Sequence, residues 1–394
     1  MTICAHPLTR DDVRRVLHDL IQAEICRSRN VGTTDFQWPL AAGELWLGDR
    51  GLALDSMERM QVASDIHALF DLYDTELGDR LLIAQTLEQA ADLVHQYMPG
   101  SQLFFSSSGS TGNPNRSMHR LTNLMDEAAS FAARTNPKRI ICLVPTHHIY
   151  GFIWGILLPR LLGIERLIAH EARAELHGKL KQGDLIVGVP TWWKYFATVA
   201  RNIPVGVSGV TSTAPVDAAL GQKVRRIGLS TLHEVYGASE LAGIGIREHN
   251  HQTYELLERW QGISPCGQKL VDRDGQFSSE LPDHLEFIGP RSFHVRGRKD
   301  HQVQVGGMNV SPSQIARRLN ALEPVSHCQV RLMAPAEGER LKALLITQHD
   351  LVPAEREAIR HWCTQHLTPP ERPHLTFTKH HHQNAIGKAA DWPI

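Results

Sequence analysis

Several features that would assign this chain to a common class of protein are missing or scarce in its sequence. The six cysteines are scattered without any C-x-x-C spacing, so reduced thiols and a cytoplasmic location are the default expectation. The longest apolar run, residues 150–158, stops at Pro159 and is too short to span a bilayer. The first residues lack the basic-then-apolar order of a secretory signal. We therefore expect a soluble globular protein, with neither a membrane nor a nucleic acid as its partner.

Charge is unevenly distributed along the 394 residues. Residues 8–97 carry 16 acidic and 8 basic side chains, whereas the rest of the chain carries 26 acidic and 33 basic ones. This asymmetry indicates a boundary near Pro99-Gly100 and a basic body suited to anionic ligands. The length of the chain and its hydrophobic content of 42% allow two or three domains.

The stretch FFSSSGSTGNPNRSMHR, residues 104–120, lies between a strand-like segment and a helix-like one. It is not a Walker loop, because Gly109 and Gly112 are too close together and Asn113 stands where lysine would follow. It also lacks the G-x-G-x-x-G of a dinucleotide-binding fold. Small residues can wrap phosphate oxygens with backbone N–H groups and hydroxyls, although a polar linker has a similar composition.

Two short apolar segments, RIICLVP (139–145) and DLIVGVP (184–190), are flanked by helix-like stretches. This pattern predicts buried parallel strands in an α/β sheet. The loops 146–151, 191–196 and 236–240 would then lie at the carboxyl edge, where ligands bind. They are rich in His, Trp and Tyr, which is compatible with an aromatic pocket, although Trp192 and Trp193 could equally pack in the core.

Six segments resemble, in order, the motifs of the adenylate-forming superfamily, which includes acyl- and aryl-CoA synthetases and nonribosomal adenylation domains. The segments are SSSGSTGNPN (106–115), PTHHIYG (145–151), STAP (212–215), VYGASE (235–240), VRGRKDHQVQVGGMNVSPSQI (295–315) and NAIGKAAD (384–391). The resemblance implies an α/β fold with a compact, truncated large domain at 100–299 and a small α+β lid domain at 300–394.

The resemblance also implies ATP and Mg²⁺ as cofactors and gives roles to particular residues. Glu240 would hold Mg²⁺, a hard ion that prefers oxygen ligands. Lys388 would stabilise the charge that develops as the carboxylate attacks the α-phosphate. The loop that would cradle the other two phosphates consists of Ser106, Ser107, Ser108, Gly109, Ser110, Thr111 and Gly112.

Other residues match the family at the ribose site, the substrate cleft and the hinge. Asp283 and Arg298 would bind the ribose hydroxyls. Asp300 would be the hinge about which the lid turns between the two half-reactions. The remaining residues implied at the site are His148 with a catalytic role, and Tyr236, Gly237 and Ser239 in nucleotide binding.

The first 99 residues resemble an acyl carrier protein. Around Ser56, the segment 51–72 places apolar residues at helical spacing, as in the helix that carries the phosphopantetheine of a carrier domain. Ser56 would then bear the prosthetic arm. The alternative is a vestigial or structural bundle in which Ser56 caps the helix.

Together these features predict an AMP-forming ligase that activates a carboxylic acid and passes the acyl group to the phosphopantetheine thiol of a carrier protein. Residues 147–163 and 236–245 look most like the short ligases of aryl-polyene and related polyketide pathways, so an aryl acid is the first substrate expected. One alternative is an acyl- or aryl-CoA ligase with a structural N-terminal bundle. Another is a nucleotide-binding protein without activity, because Asn115 and Gln304 stand where the family commonly has lysine.

Overall fold

The computed structural model describes residues 8–32, 45–77, 79–107, 115–168, 178–264, 269–299, 302–334 and 337–379, together with Ala172, Leu176, Gly267 and Trp392. Contacts divide the described residues into two compact units. The first contains those of 1–107, 115–280 and 287–294, and the second contains those of 281–286 and 295–394. The continuous part of the second unit begins at residue 295, whereas the sequence predicts a lid boundary at 299/300. The expected boundary at 99/100 does not separate two compact units, because the N-terminal helices belong to the first one.

The N-terminal helices have well-defined starts. Thr9 and Asp12 form a capping box at the N-terminus of the first helix, and Asp55 and Glu58 form one at the N-terminus of the second. In each capping box, backbone N–H groups at the start of the helix find side-chain acceptors. The N-cap of the second helix is thus Asp55, which corrects the alternative in which Ser56 caps it; Ser56 is the first helical residue. The helices are α1 (Arg10–Ser28), α2 (Ser56–Phe70), α3 (Arg80–Ile83) and α4 (Leu87–Tyr97).

Between residues 102 and 298 the chain alternates strands and helices, as the sequence predicts; residues 281–286 and 295–298 of this stretch belong to the second unit. A hairpin of β1 and β2 flanks residues 108–114, and a π-helical turn at Ile153–Leu157 separates α6 from α7. The elements are β1 (Gln102–Ser107), β2 (Asn115–Arg120), α5 (Leu121–Thr135), β3 (Arg139–Cys142), α6 (Ile149–Phe152), α7 (Leu158–Leu162), β4 (Glu165–Ile168), β5 (Asp184–Gly188), α8 (Pro190–Val199), β6 (Ser208–Thr211), α9 (Ala218–Arg226), β7 (Thr231–Ala238), β8 (Ala242–Glu248), β9 (Tyr254–Leu256), β10 (Trp260–Ile263), β11 (Lys269–Asp272), β12 (Phe277–Glu280), β13 (Asp283–Phe287) and β14 (Ser292–Arg298).

The large sheet has nine strands in the order β13-β14-β9-β8-β7-β6-β5-β3-β4. Strands β4, β3, β5, β6 and β7 are parallel to their neighbours, whereas β8 runs antiparallel to β7. All residues of β3 and β5 are buried, which confirms the two predicted parallel strands.

Helices cover both faces of this sheet. Ile141 of β3 packs in a core cluster with Trp193 of α8 and Val224 of α9. The neighbouring Cys142 lies against Gly155 of the π-helical turn instead. Because successive side chains of a strand point to opposite faces, β3 is covered on both sides, as its consecutive apolar residues 140–142 require.

The second unit contains a smaller α+β core, which confirms the predicted fold class. Strand β17 is antiparallel to β18, and β18 is parallel to β19. Leu341, Leu345, Ile315 and Ile359 are among its buried residues. Its remaining elements are β15 (Val303–Val305), β16 (Met308–Val310), α10 (Pro312–Asn320), β17 (Val325–Leu332), β18 (Leu341–Thr347), α11 (Pro353–His366), a 3₁₀ turn (Pro369–Glu371) and β19 (His374–Thr378). Among the described residues of the whole chain, no helix combines the length and apolar character that crossing a bilayer requires.

Candidate active site

Three of the six motif segments and one of the predicted edge loops lie at the ends of parallel strands of the same sheet. Segment 143–151 follows β3, segment 189–193 follows β5, segment 212–215 follows β6, and segment 239–241 follows β7. Since β3, β5, β6 and β7 are parallel and adjacent, these segments share one carboxyl edge. That edge is where ligands bind in open α/β sheets.

Glu240 lies at the exposed tip of the tight hairpin between β7 and β8. Gly237 pairs with Gly243 in this hairpin, and a Cβ on Gly237 would lie only 2.4 Å from the carbonyl oxygen of Ala242. Ala242 itself has a φ of +58°, in the left-handed region that few non-glycine residues adopt. The hairpin thus needs glycine at 237 and presents the Glu240 carboxylate to solvent at the ligand-binding edge.

His119 holds this hairpin tip from a neighbouring element. It lies on β2, and its Nε2 is 2.7 Å from the carbonyl oxygen of Ser239. Burial lowers the pKa of His119 to about 4, although the Ser239 contact opposes the shift. The ring is therefore neutral at pH 7, and Nε2 carries the proton that it donates to the carbonyl. The stem of the candidate phosphate loop is thereby attached to the turn that carries Glu240.

Neither His119 nor a buried ion pair between Glu127 and Arg259, which contacts the same hairpin, was assigned a role from the sequence. The fully buried carboxylate of Glu127 on α5 accepts a hydrogen bond from Gly243 N at 2.9 Å and pairs with Arg259 at 3.1 Å. Burial raises the pKa of Glu127, while Arg259 and Gly243 oppose the rise. Only the spatial proximity of residues more than a hundred positions apart identifies either contact.

The turn after β3 is shaped by close packing. A Cβ on Gly151 would lie 2.2 Å from the carbonyl oxygen of Pro145, so α6 can start here only with glycine at that position. The Tyr150 hydroxyl donates to the carbonyl of Gly188 at 3.2 Å, which joins the turn to the end of β5. The His148 ring contacts that of His147 at a centroid distance of 4.2 Å and is partly accessible to solvent.

Two buried polar atoms at this edge have no hydrogen-bond partner among the described residues: Nδ1 of His147 and Oγ1 of Thr211. Burial lowers the pKa of His147 to about 3, so its ring is neutral. His147 follows β3, Thr211 is the last residue of β6, and β5 lies between these two strands in the sheet. Buried groups of this kind are normally satisfied, so a polar ligand atom fits here.

The two tryptophans after β5 differ in their surroundings. Trp193 is fully buried and donates from Nε1 to the carbonyl of Val210 at 3.2 Å, so it is a core residue. Trp192 is only half-buried and stacks on Phe196 at a centroid distance of 4.6 Å. Of these two tryptophans, only Trp192 therefore offers an aromatic surface beside the candidate site.

Asp283 and Arg298 are neighbours within the second unit. Asp283 begins β13, Arg298 ends β14, and these strands are adjacent. The backbone N–H of Lys299 donates to the carbonyl of Pro282 at 2.9 Å, which brings the two strand ends together. The Asp283 side chain is buried, and that of Arg298 is partly exposed.

The remaining predicted residues are placed as follows. Ser106 is exposed at the end of β1, Ser107 follows it in the same strand, and Tyr236 lies on β7 within 5.8 Å of the Phe293 ring centre. Ser56 is exposed at the start of α2. Ser108, Gly109, Ser110, Thr111, Gly112, Asp300 and Lys388 lie outside the described residues.

Comparison with known proteins gives findings for the family and for the fold. The profile of a family described as AMP-binding enzyme matches residues 102–276. The chain is 34% identical to 4-coumarate–CoA ligase from Halorhodospira halophila, over 97% of this chain and 99% of the relative. It is 33% identical to 4-coumarate–CoA ligase from Rhodobacter capsulatus, over 96% of this chain and 100% of the relative. A solved structure of o-succinylbenzoate CoA synthetase from Bacillus subtilis is similar in fold, with a TM-score of 0.59 at 15% identity, covering 79% of this chain and 72% of that one.

Proposed function

Because the chain belongs to the AMP-binding enzyme family, the adenylate-forming superfamily of AMP-forming acid–thiol ligases, we propose that it couples an aryl carboxylic acid to coenzyme A through an acyl-adenylate. The observation that carries the proposal is the placement of three motif segments and the aromatic loop after β5 at one carboxyl edge of the large sheet. Similarity to two CoA ligases over nearly the whole chain includes the first 99 residues. Of the two thiols predicted from the sequence, it therefore favours coenzyme A over a carrier protein.

The two half-reactions have a simple chemical balance. The substrate carboxylate attacks the α-phosphorus of ATP, the bond to the β,γ-phosphates breaks, and pyrophosphate leaves. The thiolate then attacks the acyl carbon, the bond to AMP breaks, and the thioester forms. A carboxylate is a poor electrophile, so the enzyme must first provide AMP as a leaving group.

The exposed Glu240 carboxylate fits Mg²⁺, which is usually held by one or two carboxylates together with substrate phosphates. A bound Mg²⁺ would neutralise charge on the departing phosphates. Among the described residues no group of three or more His, Cys, Asp or Glu side chains could hold a metal ion. In this proposal His119 maintains the Glu240 turn by holding the Ser239 carbonyl.

Nucleotide binding is proposed for the residues that match the family motifs. Asp283 accepts hydrogen bonds from the ribose hydroxyls, and Arg298 at the adjacent strand end adds a second contact. Lys388 supplies the positive charge at the α-phosphate during the transition state. Tyr236, on the strand that leads to Glu240, contributes an aromatic ring to the adenosine site.

The acid is proposed to bind where β3, β5 and β6 end. The half-buried Trp192 offers an aromatic face for an aryl ring. Oγ1 of Thr211 and Nδ1 of His147 are available to polar groups of the ligand. The partly accessible His148 lies beside His147 and is proposed to contact the reacting carboxylate.

Acid-dependent exchange of pyrophosphate into ATP tests the first half-reaction. A panel of 4-coumarate, 4-hydroxybenzoate, benzoate and hexanoate should give exchange with aryl acids and little with hexanoate. Thioester formation is then measured with coenzyme A as the acceptor. Absence of exchange with every acid would contradict the proposed function, and a preference for hexanoate would contradict the aryl pocket.

A carrier role for the N-terminal bundle is the second candidate. The observation that favours it is the exposure of Ser56 as the first residue of α2, next to the exposed side chains of Met57 and Met60. A modifying enzyme would have access to a serine in this position. In this case phosphopantetheine would be attached to Ser56, and the acyl acceptor would be its thiol.

A further inference from the structure

The first helix of the chain reaches the turn that carries His147 and His148. Asp19 lies in the third turn of α1, and its Oδ2 atom accepts hydrogen bonds from Thr146 N at 2.7 Å and from Thr146 Oγ1 at 2.8 Å. Both side chains are buried, although they are 127 positions apart in the sequence. One carboxylate oxygen thus satisfies both donors of the residue that precedes the two histidines.

The Asp19 carboxylate is held in its charged form. Burial raises the pKa of Asp19, but hydrogen bonds from His18 and Thr146 outweigh this effect and keep the pKa below its usual value. A buried carboxylate with good donors is an effective acceptor, because hydrogen bonds to charged groups are stronger than those between neutral groups. Without it, the buried N–H of Thr146 would lose its partner, and Thr146 Oγ1 would keep only its long contact with the carbonyl of Arg15 at 3.4 Å.

Helix α1 is itself fixed to the body of the first unit. Asp12 lies seven residues before Asp19, which is two helical turns and therefore the same face of the helix. It pairs with Arg160 of α7 at 3.0 Å and with Arg166 of β4 at 2.6 Å. The helix is thus attached at two points along one face, and Asp19 cannot leave Thr146 by a rotation of the helix about its axis.

Contacts with its own backbone also restrict the conformation of the turn at residues 145–151. His148 N donates to the carbonyl of Pro145 at 3.2 Å, and Gly151 packs directly on that carbonyl. Thr146 lies between the two constraints. Its position decides where the backbone turns towards His148, which is the N-cap of α6.

We propose that Asp19 is a positioning residue for acid activation, which acts through Thr146 by fixing the turn that presents His147 and His148 to the substrate carboxylate. The inference rests on the proposed function, since it assigns the turn to the acid site. It makes the N-terminal helix part of the support of the active site. A freely moving carrier domain would not keep this contact.

The test compares three variants in acid-dependent pyrophosphate exchange. Asp19→Ala removes the acceptor, whereas Asp19→Asn keeps one oxygen that can accept from Thr146. Glu58→Ala is the matched control, because Glu58 is equally buried and accepts hydrogen bonds from Arg29, Ser28 and Asp55 inside the bundle. A displacement of about 1 Å at a reacting group can cost on the order of 10²-fold in rate.

We expect Asp19→Ala to lower kcat for exchange on the order of 10²-fold, and Asp19→Asn to recover most of this loss. Glu58→Ala should lower Tm by about as much as Asp19→Ala does. Its kcat should stay within about threefold of the wild-type value, a margin that corresponds to less than 1 kcal/mol. Equal losses of kcat in Asp19→Ala and Glu58→Ala, at equal Tm, would overturn the inference. So would an Asp19→Asn variant that folds but is as inactive as Asp19→Ala.

Amide hydrogen exchange gives a readout that does not depend on turnover. The peptide containing Thr146 should lose protection in Asp19→Ala and keep it in Glu58→Ala. If the wild-type protein catalyses no pyrophosphate exchange with any acid, the proposed function fails by itself. The amide protection of the Thr146 peptide still decides whether Asp19 holds the turn. Unchanged protection in Asp19→Ala would overturn the contact on which the inference depends.

Discussion

Replacing His119 by glutamine should keep the enzyme active and remove a pH-dependent part of its stability. Glutamine can place its side-chain N–H near the position of the histidine Nε2, so the hydrogen bond to the Ser239 carbonyl is retained. Glutamine does not titrate. Any difference in pH dependence between the two proteins then belongs to the His119 ring.

The magnitude follows from the pKa. Burial lowers the pKa of His119 from 6.5 to about 4, and each unit corresponds to about 1.4 kcal/mol. Because the unfolded chain binds a proton more readily than the folded one, stability falls as the pH drops from about 6.5 to about 4. The cost is absent above this window and reaches about 3 kcal/mol below it, with about 2 kcal/mol already lost at pH 5.

Two measurements test this reasoning. Titration of ¹³C-labelled histidine side chains by NMR, with the His119 signal assigned by its absence in His119→Gln, should show a pKa near 4. Urea unfolding at pH 7.5 and pH 5 should show that the wild type loses about 2 kcal/mol more than His119→Gln. Burial also lowers the pKa values of His147 and His148, but both residues are present in both proteins, so their contributions cancel in the comparison.

His119→Leu serves as the contrast, because it removes the donor. The Ser239 carbonyl then loses its partner, which typically costs 1–3 kcal/mol at either pH, and exchange activity should fall on the order of tenfold as the Glu240 turn loosens. A titration midpoint near 6.5 would refute the burial argument. The same pH dependence in the wild type and in His119→Gln would refute it as well.

Three further predictions concern residues assigned from sequence. Lys388→Ala should lower adenylate formation by about 10²–10³ while ATP binding by calorimetry persists; near-normal adenylation would contradict its role. Co-expression with phosphopantetheinyl transferases should add the prosthetic group to the wild type but not to Ser56→Ala, and an unchanged wild-type mass with every transferase tried would leave the bundle purely structural. Asp300→Pro fixes φ and deletes an N–H, so it should lock the lid in one orientation. If that orientation is the adenylating one, single-turnover acyl-AMP formation should persist, whereas thioester formation from preformed acyl-AMP should be abolished. Equal effects on both half-reactions would argue against a hinge at this position.

Much of the fold could be predicted from local patterns. Residues 140–145 and 185–190 are uncharged, mostly apolar runs that end in proline, and such runs are compatible with strands buried on both faces. The segments after them therefore had to lie at one edge of the sheet. The order of six motifs identified the superfamily, because motif order is a property of the sequence alone.

The carrier-like interpretation of the first 99 residues stays a prediction, because it depends on local patterns alone. Helical spacing around Ser56 and an acidic composition describe a small amphipathic bundle, and many bundles share them. They do not determine what the bundle packs against. The ion pairs of Asp12 with Arg160 and Arg166 join α1 to the body, and no local pattern in the sequence indicates such partners.

The sequence by itself determined the strands, the motif order and therefore the family, because these depend on residue type and spacing along the chain. Only the tertiary structure brought His119 to the Ser239 carbonyl, Glu127 to Gly243, and Asp19 to Thr146. Each of these contacts joins elements more than a hundred residues apart. The stability of a buried polar group depends on whether a partner reaches it in space, and that is decided by how the helices and strands pack together.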